Sequence, residues 1–161
     1  MRKSTEAAYR EYVVSRMPSL RRTAYLLCHD WHAADDLVAV TIARLYRQWG
    51  RAQRFESLDG YVRRILLNAW RDELRRPWRR EAVADVLPEP AAAAAADPAE
   101  RLALLELLRR LPPRRRAALV LRFYCDLSVE QTAAILGCST GTVKSLTARG
   151  LDSMRALTEG S

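Results

Sequence analysis

The chain has 161 residues, enough for one ordinary domain or two small ones, and almost half of them are apolar, which allows a packed core. Its formal charge of +8 favours a polyanionic partner. The N-terminus is polar and no apolar run is long enough to span a bilayer, so we expect a cytoplasmic protein without membrane contact. The three cysteines are widely spaced and form no metal-binding pattern, so we expect no metal and no cofactor.

Helical periodicity is nearly continuous along the chain and strand signals are almost absent, which predicts an all-α fold. In the first half, the apolar spacing and Pro18 predict two helices, over 5–17 and 19–28. A third helix is predicted over 32–49, and a fourth runs from a cap at Ser57 to about residue 76. The residues of the third helix expected to face inward are Leu37, Val38, Val40, Thr41 and Leu45.

Residues 81–97 differ in character from the segments on either side. Prolines flank a run of six alanines, and no apolar face is formed, so this stretch is predicted to be a flexible tether. We therefore expect two small helical domains, 1–80 and 99–161, joined by a linker over 81–98.

Four helices are predicted after the tether, over 98–110, from Pro112 and Pro113 to about residue 125, over 128–136 and over 140–157. The last two have the spacing of a helix-turn-helix, which we place at 129–148. Ala133 is small where two helices cross closely, and Gly137 can adopt the positive φ that the turn requires. Ser139 is a candidate N-cap for the second helix of the motif.

The second helix of this motif presents a polar and basic set of side chains that includes no carboxylate, which suits the major groove of DNA. The alternative is an ordinary helical hairpin within a core. The candidate DNA-binding residues of this helix are Thr140, Thr142, Lys144, Ser145, Thr147 and Arg149.

The excess of positive charge lies in the other half of the chain. Residues 1–80 carry 17 basic and 9 acidic side chains, whereas residues 81–161 carry 10 of each. This distribution indicates a second nucleic-acid surface, or a site for an acidic protein partner, in the first half.

Three segments of the first half, WHAADDLV (31–38), ARLYRQW (43–49) and YVRRILLNAWRDELRR (61–76), resemble region 2 of bacterial sigma factors. LPPRRRAALVLRFY (111–124) and the helix-turn-helix resemble region 4. In this order, across a tether rich in proline and alanine, they resemble the compact extracytoplasmic-function sigma factors common in actinobacteria. The resemblance implies an initiation factor that binds core RNA polymerase and promoter DNA, with an anti-sigma factor as a further candidate partner.

The resemblance also implies roles for particular residues. Region 2 docks on the clamp helices of the largest polymerase subunit, and the candidate residues are Asp35, Asp36, Leu37, Arg44, Tyr46 and Arg47. The last helix of region 2 recognises and opens the −10 element, where arginines hold phosphates and Asn68 faces a flipped base. Its candidate residues are Arg63, Arg64, Asn68, Arg71, Arg75 and Arg76. The helix-turn-helix would read the −35 element through the residues named above.

The chain departs from the family pattern at four positions, one of which is Ala148, where a larger side chain is frequent. Ala39 and Val40 stand where Gln-Glu is usual, and Leu146 stands where many relatives have arginine. Two alternative functions remain open. One is a free-standing helix-turn-helix regulator, a class that carries a very similar motif. The other, left open by Ala39, Val40 and Leu146, is a helical protein that binds polymerase or an anti-sigma factor without reading promoters. No nucleophile–base pair, catalytic carboxylate pair or phosphate loop is present, so we do not expect an enzyme.

Overall fold

A computed structural model describes residues 3–76 and 97–160 of the chain. The described residues form α-helices and connecting turns without a strand, which confirms the all-α prediction. The helices are α1 (Lys3–Cys28), α2 (Trp31–Ala52), α3 (Leu58–Leu74), α4 (Pro98–Arg109), α5 (Pro113–Leu119), α6 (Val129–Leu136) and α7 (Thr140–Glu159). The predicted tether lies almost entirely outside the described residues.

The helix break predicted at Pro18 is wrong. α1 continues through this residue as one helix of 26 residues. Proline lacks the N–H that would bond to the carbonyl four residues earlier, here that of Val14. Pro18 is exposed and Val14 is 72 % exposed, so this carbonyl lies on the solvent side of the helix. The lost hydrogen bond therefore costs less than it would in a buried part of a helix.

Contacts divide the chain into two units: residues 1–25 with 30–84, and residues 26–29 with 85–161. In the first unit, α2 and α3 pack against each other and bury Leu45, Leu66 and Leu67 almost completely. Side-chain hydrogen bonds to the backbone join α1 to α2. The Tyr9 hydroxyl donates to the Ile42 carbonyl at 2.8 Å, and the Trp49 indole donates to the Thr5 carbonyl at 3.0 Å.

Four of the five residues predicted to face inward from α2 are buried, and the fifth is not. Leu37, Val38, Thr41 and Leu45 form the buried row. Val40 was placed in the core by its apolar character alone, and this is wrong, because the side chain is 40 % exposed. At the helical period of 3.6 residues, Val40 projects away from the row that these four residues form.

The second unit contains α4 to α7, with Leu121, Val120 and Val143 among its most buried residues. A continuous helix was predicted from Pro113 to about residue 125. In the structure α5 ends at Leu119, and the last turn, Val120–Tyr124, is a π-helix. α7 crosses α5 closely at Gly150, where an added Cβ would lie 3.0 Å from Leu119 Cδ1.

Arg116 of α5 closes the end of α4 with its guanidinium group. Nε donates to the Leu108 carbonyl at 2.9 Å, and Nη2 donates to the Leu111 carbonyl at 2.8 Å. These carbonyls belong to the last turn of α4 and the residues just after it, where the regular i to i+4 hydrogen bonds of the helix end. The half-buried arginine thus fixes the connection between α4 and α5.

The stability of the protein should fall as the pH falls below the usual pKa of histidine. His29 is buried, and burial, with the charges of Arg116 and Arg109, lowers its pKa to about 3. The native state therefore holds the neutral ring, whereas the unfolded chain binds a proton below about pH 6.5. We expect this residue to reduce the free energy of unfolding by up to about 1.4 kcal/mol per pH unit between these values.

The measurement is urea denaturation of the wild type and of His29→Asn at about pH 7 and about pH 5. Asparagine suits this position because the backbone at residue 29 has φ +58°, which asparagine tolerates, and its amide does not titrate. An equal loss of stability in both proteins between the two pH values would contradict the prediction.

Candidate nucleic-acid interface

The turn between α6 and α7 has the geometry that the helix-turn-helix spacing requires. α6 begins with a capping box, in which Ser128 Oγ accepts from the Gln131 N–H at 3.0 Å and the Gln131 side chain accepts from the Ser128 N–H at 2.8 Å. It ends at Gly137, whose φ of +68° is the left-handed conformation predicted for this position. The Gly137 N–H donates to the Ala133 carbonyl at 2.8 Å, which closes the helix end.

α7 begins at the predicted cap, since Ser139 Oγ accepts from the Thr142 N–H at 3.1 Å. The inner side of the helix carries Val143, which is fully buried, and the close crossing at Gly150. Leu146 is half-buried and lies on this inner side. Its replacement of the arginine found in relatives therefore does not remove a group from the exposed face.

The exposed side of the first three turns of α7, which we call the α7 face, carries no carboxylate. Among the six predicted residues, Thr142 and Thr147 are half-buried, and their hydroxyls pair with Ser139 Oγ at 2.9 Å and the Val143 carbonyl at 2.8 Å. Two further residues, Gly141 and Ala148, share the face; helical spacing indicated them, but neither has a polar group that would mark it. The α7 face consists of Thr140, Gly141, Lys144, Ser145, Ala148 and Arg149.

The candidate −10 residues lie in α3 and just after its end, with Arg75 as the C-cap and Arg76 next to it. The N-cap of α3 is Ser57, whose Oγ accepts from the Gly60 N–H at 3.2 Å. Four of the candidates are spaced by four, three and four residues and so share one side of the helix. Three of them are exposed and Arg71 is half-buried. We call this row, which consists of Arg64, Asn68, Arg71 and Arg75, the α3 face.

The opposite side of α3 forms part of the core. Trp70 is 3 % exposed, so its indole packs inside the unit and is not available to a base. Arg63 lies to one side of the α3 face, where it lines a small cavity with Tyr12 and Asp59. The Tyr12 hydroxyl donates to Asp59 Oδ1 at 2.6 Å, and burial together with this carboxylate raises the pKa of Tyr12.

The six candidate polymerase-binding residues of α2 do not form one free surface. Asp36, Tyr46 and Arg47 are exposed. Leu37 is 2 % exposed and belongs to the core, so its side chain supports the surface from below. The other two are engaged in ion pairs with neighbouring helices: Asp35 with Arg21 of α1 at 2.6 Å, and Arg44 with Asp72 of α3 at 3.3 Å.

The exposed side of α2 also contains Ala39 and Val40, the two departures from the family pattern. Val40 is 40 % exposed beside Asp36, one helical turn before it. The sequence placed Val40 in the core and so missed it as a surface residue. This side of α2 is therefore more apolar than the Gln-Glu pattern would make it.

The end of α2 and the turn that follows it add basic residues that the sequence analysis did not select. Arg51 lies over the Phe55 ring at 5.8 Å, and Phe55 packs edge-on against Tyr61 at 4.8 Å. Arg54 is exposed within this turn. The sequence shows these two arginines just before the start of α3, but nothing in it distinguishes them from the many other basic residues of the first half.

The described residues show neither a metal cluster nor a membrane span. Within 3–76 and 97–160, no three histidine, cysteine or acidic side chains come together in a group that could hold a metal ion. In the same part of the chain, every helix is too short or too polar to cross a bilayer.

Two family models match the chain, and together they include both faces. Sigma-70 region 2 matches residues 13–80, which contain α2 and α3, and Sigma-70 region 4 matches residues 101–154, which contain the helix-turn-helix. The RNA polymerase sigma-E factor of Streptomyces coelicolor is 36 % identical over 148 residues, covering 91 % of this chain and 84 % of the relative. The chain belongs to the extracytoplasmic-function sigma factors.

Other members of the family agree in sequence and in fold. The EcfG sigma factor of Rhodopseudomonas palustris is 33 % identical, over 92 % of this chain and 83 % of that protein. The solved structure of RpoE with the anti-sigma factor NepR from Bartonella quintana matches with a TM-score of 0.80 and 24 % identity, covering 94 % of this chain and 97 % of that chain. This structural likeness concerns the fold. Sigma factors are initiation factors and not enzymes, as the sequence led us to expect.

The cap at Ser139 should control the stability of the α7 face in this sigma factor. Ser139→Ala removes the acceptor of the Thr142 N–H, and we expect the free energy of unfolding to fall by about 1 kcal/mol. Ser139→Asp should restore it, because aspartate is an equally good cap and its charge favours the positive end of the helix dipole. Urea denaturation of the three proteins tests this. If the alanine variant were as stable as the wild type, the cap would not contribute.

Proposed function

We propose that this chain binds core RNA polymerase and directs it to specific promoters, with the α7 face reading the −35 element and the α3 face reading the −10 element. The observation that carries the proposal is the presence of two exposed polar and basic helix faces, one in each unit, in a chain whose regions match both sigma-70 models. The protein acts in the cytoplasm, where its polymerase acts.

At the −35 element, the first turns of α7 enter the major groove. Lys144 can donate to the acceptor edge of a guanine, and Ser145 can pair with several base edges. Arg149 lies at the border of the α7 face, where a guanidinium group would reach a backbone phosphate. Because Gly141 and Ala148 carry no polar side-chain group, direct base reading rests on few residues, and DNA shape carries more of the selectivity.

At the −10 element, the α3 face holds one strand after the duplex opens. The arginines of the row bind phosphates, and the Asn68 amide can donate to and accept from the edge of an unpaired base. Binding of a flipped base to the protein compensates for part of the stacking that the opened strand loses. Arg63 and Arg76 lie beside the row, and Arg76 pairs with Glu73 at 3.4 Å.

Docking on the polymerase uses the exposed side of α2. Its partner is the pair of clamp helices in the largest subunit. Asp36 and Arg47 offer charges of both signs, while Tyr46 and Val40 offer apolar area. Burial of exposed apolar side chains contributes about 25 cal/mol per Å² that is removed from water. Apolar contact at Ala39 and Val40 therefore takes the place of the polar contacts that the usual Gln-Glu pair makes.

The domain division follows from the two surfaces. Residues 1–80 bind polymerase and the −10 element, 99–161 bind the −35 element, and 81–98 link them. Two solved relatives, RpoE and CnrH, are bound to an anti-sigma factor and to the cytosolic domain of CnrY, respectively. A protein of the anti-sigma class is accordingly a further candidate partner of this chain.

A transcription assay tests the proposal directly. The full chain is added to core polymerase from Streptomyces coelicolor, the source of the 36 % identical relative, with genomic DNA fragments from the organism of this chain as template. We expect transcripts that start at defined positions and require the added protein. A mixture without such starts would overturn the proposal.

A gel-shift assay without polymerase separates the remaining alternatives. A free-standing regulator would bind duplex DNA tightly and specifically by itself, whereas a sigma factor requires the core enzyme. A protein that binds polymerase without reading promoters would associate with the core and yet produce no defined start. The match to both regions favours the sigma factor.

Substitutions in the α7 face should weaken promoter use to a degree set by the kind of DNA group that each side chain binds. We expect Lys144→Ala to reduce transcription from a promoter with an intact −35 element by about 5- to 150-fold, the equivalent of about 1–3 kcal/mol for one base contact. Arg149→Ala should weaken all templates uniformly and reduce the salt dependence of binding, because it removes a phosphate contact.

Arg155→Ala is the matched control for both variants. It removes the same charge as Arg149→Ala from the same helix, but beyond the α7 face, where Arg155 pairs with Asp152 at 3.5 Å. Transcription should be unchanged in this variant. Equal effects of Lys144→Ala and Arg155→Ala would show that overall charge, and not the α7 face, supports promoter use.

A further inference from the structure

One carboxylate lies at the edge of the α3 face. Asp72 follows Asn68 by four residues and precedes Arg75 by three, so its side chain is next to both on the helix surface. Its side chain is 52 % exposed. A negative charge at this position opposes the binding of DNA phosphates by the neighbouring arginines.

Arg44 of α2 is the partner of this carboxylate. Arg44 Nη2 lies 3.3 Å from Asp72 Oδ2, and the contact is both an ion pair and a hydrogen bond. Resemblance to the family assigned Arg44 to the polymerase-binding surface. In the structure its guanidinium group instead points to α3, the helix that carries the −10 candidates.

We propose that Arg44 is a positioning residue for DNA binding: it neutralises Asp72 and holds that carboxylate away from the phosphates that the α3 face binds. The inference rests on the proposed function and gives Arg44 a role outside polymerase docking. A local change of one charge alters both the affinity for DNA and its dependence on salt. An exposed ion pair contributes little to folding, so the pair can be removed without unfolding the unit.

The test uses holoenzyme assembled from core polymerase and the full chain, bound to a forked promoter fragment selected with the wild type. We expect Arg44→Ala to weaken DNA binding about three- to tenfold, because Asp72 loses its partner. The slope of log affinity against log salt concentration should also become shallower by about one. Asp72→Asn should bind at least as tightly as the wild type. The double variant should return to within about twofold of the wild type, in affinity and in slope, because its local charge is the same.

Two controls accompany these variants. Arg10→Ala and Arg10→Ala with Glu6→Gln remove a comparable exposed pair within α1, where the two groups lie 3.7 Å apart, and should leave DNA binding unchanged. Affinity for core polymerase is measured in parallel by fluorescence anisotropy, and Arg44→Ala should not change it.

Three results would overturn the inference. Undiminished DNA binding by Arg44→Ala would do so, and so would failure of Asp72→Asn to rescue that variant. A loss of core affinity in Arg44→Ala that Asp72→Asn does not restore would assign Arg44 to the docking surface.

If the wild-type holoenzyme selects no promoter, the proposed function fails and the inference fails with it. If the wild type is active and only the Arg44 variants deviate from expectation, the inference alone fails.

Discussion

The packing of α3 against α2 determines the orientation of every candidate functional group in the first unit. Leu45 on one helix and Leu66 and Leu67 on the other are almost fully buried, so neither helix can rotate without exposing apolar surface. This fixed rotation directs the α3 face to solvent and places Trp70 inside. The same packing brings Arg44 within reach of Asp72. The core thus determines which charged side chains are exposed on the α3 face and which pair with each other.

In the second unit, two glycines determine how the helices turn and how closely they approach. Gly137 provides the left-handed turn, and Gly150 lets α7 approach Leu119 of α5 closely. With Val143 fully buried, these contacts fix the inner side of α7 and leave the α7 face exposed. Leu146, a departure from the expected family pattern, is half-buried and lies on the inner side of the helix. The effect of this departure depends on which side of α7 carries residue 146, and the sequence alone does not show that side.

Features that depend on neighbouring residues were predictable from the sequence. Helix periodicity, the caps at Ser57 and Ser139 and the turn at Gly137 are local, and all were anticipated. Features that depend on another helix were not. Leu37 and Val40 are both apolar, and only the packing of α2 decides which of them is buried. Pro18 is tolerated because its side of α1 faces solvent, which no local pattern indicates.

Net charge is a weak guide to the position of a DNA-binding face, because it does not tell which basic side chains are engaged in ion pairs and which are exposed. The excess of basic residues in the first half predicted an anionic partner there, yet Arg16, Arg21 and Arg44 each pair with a carboxylate of a neighbouring helix. The second half has no excess at all, and still presents the carboxylate-free α7 face. The charges close to a bound DNA phosphate therefore depend on the pairing and spacing of individual side chains. Within that arrangement a single carboxylate at the border of a basic row matters more than several distant arginines, since the interaction between exposed charges fades over roughly one Debye length, about 8 Å at physiological salt.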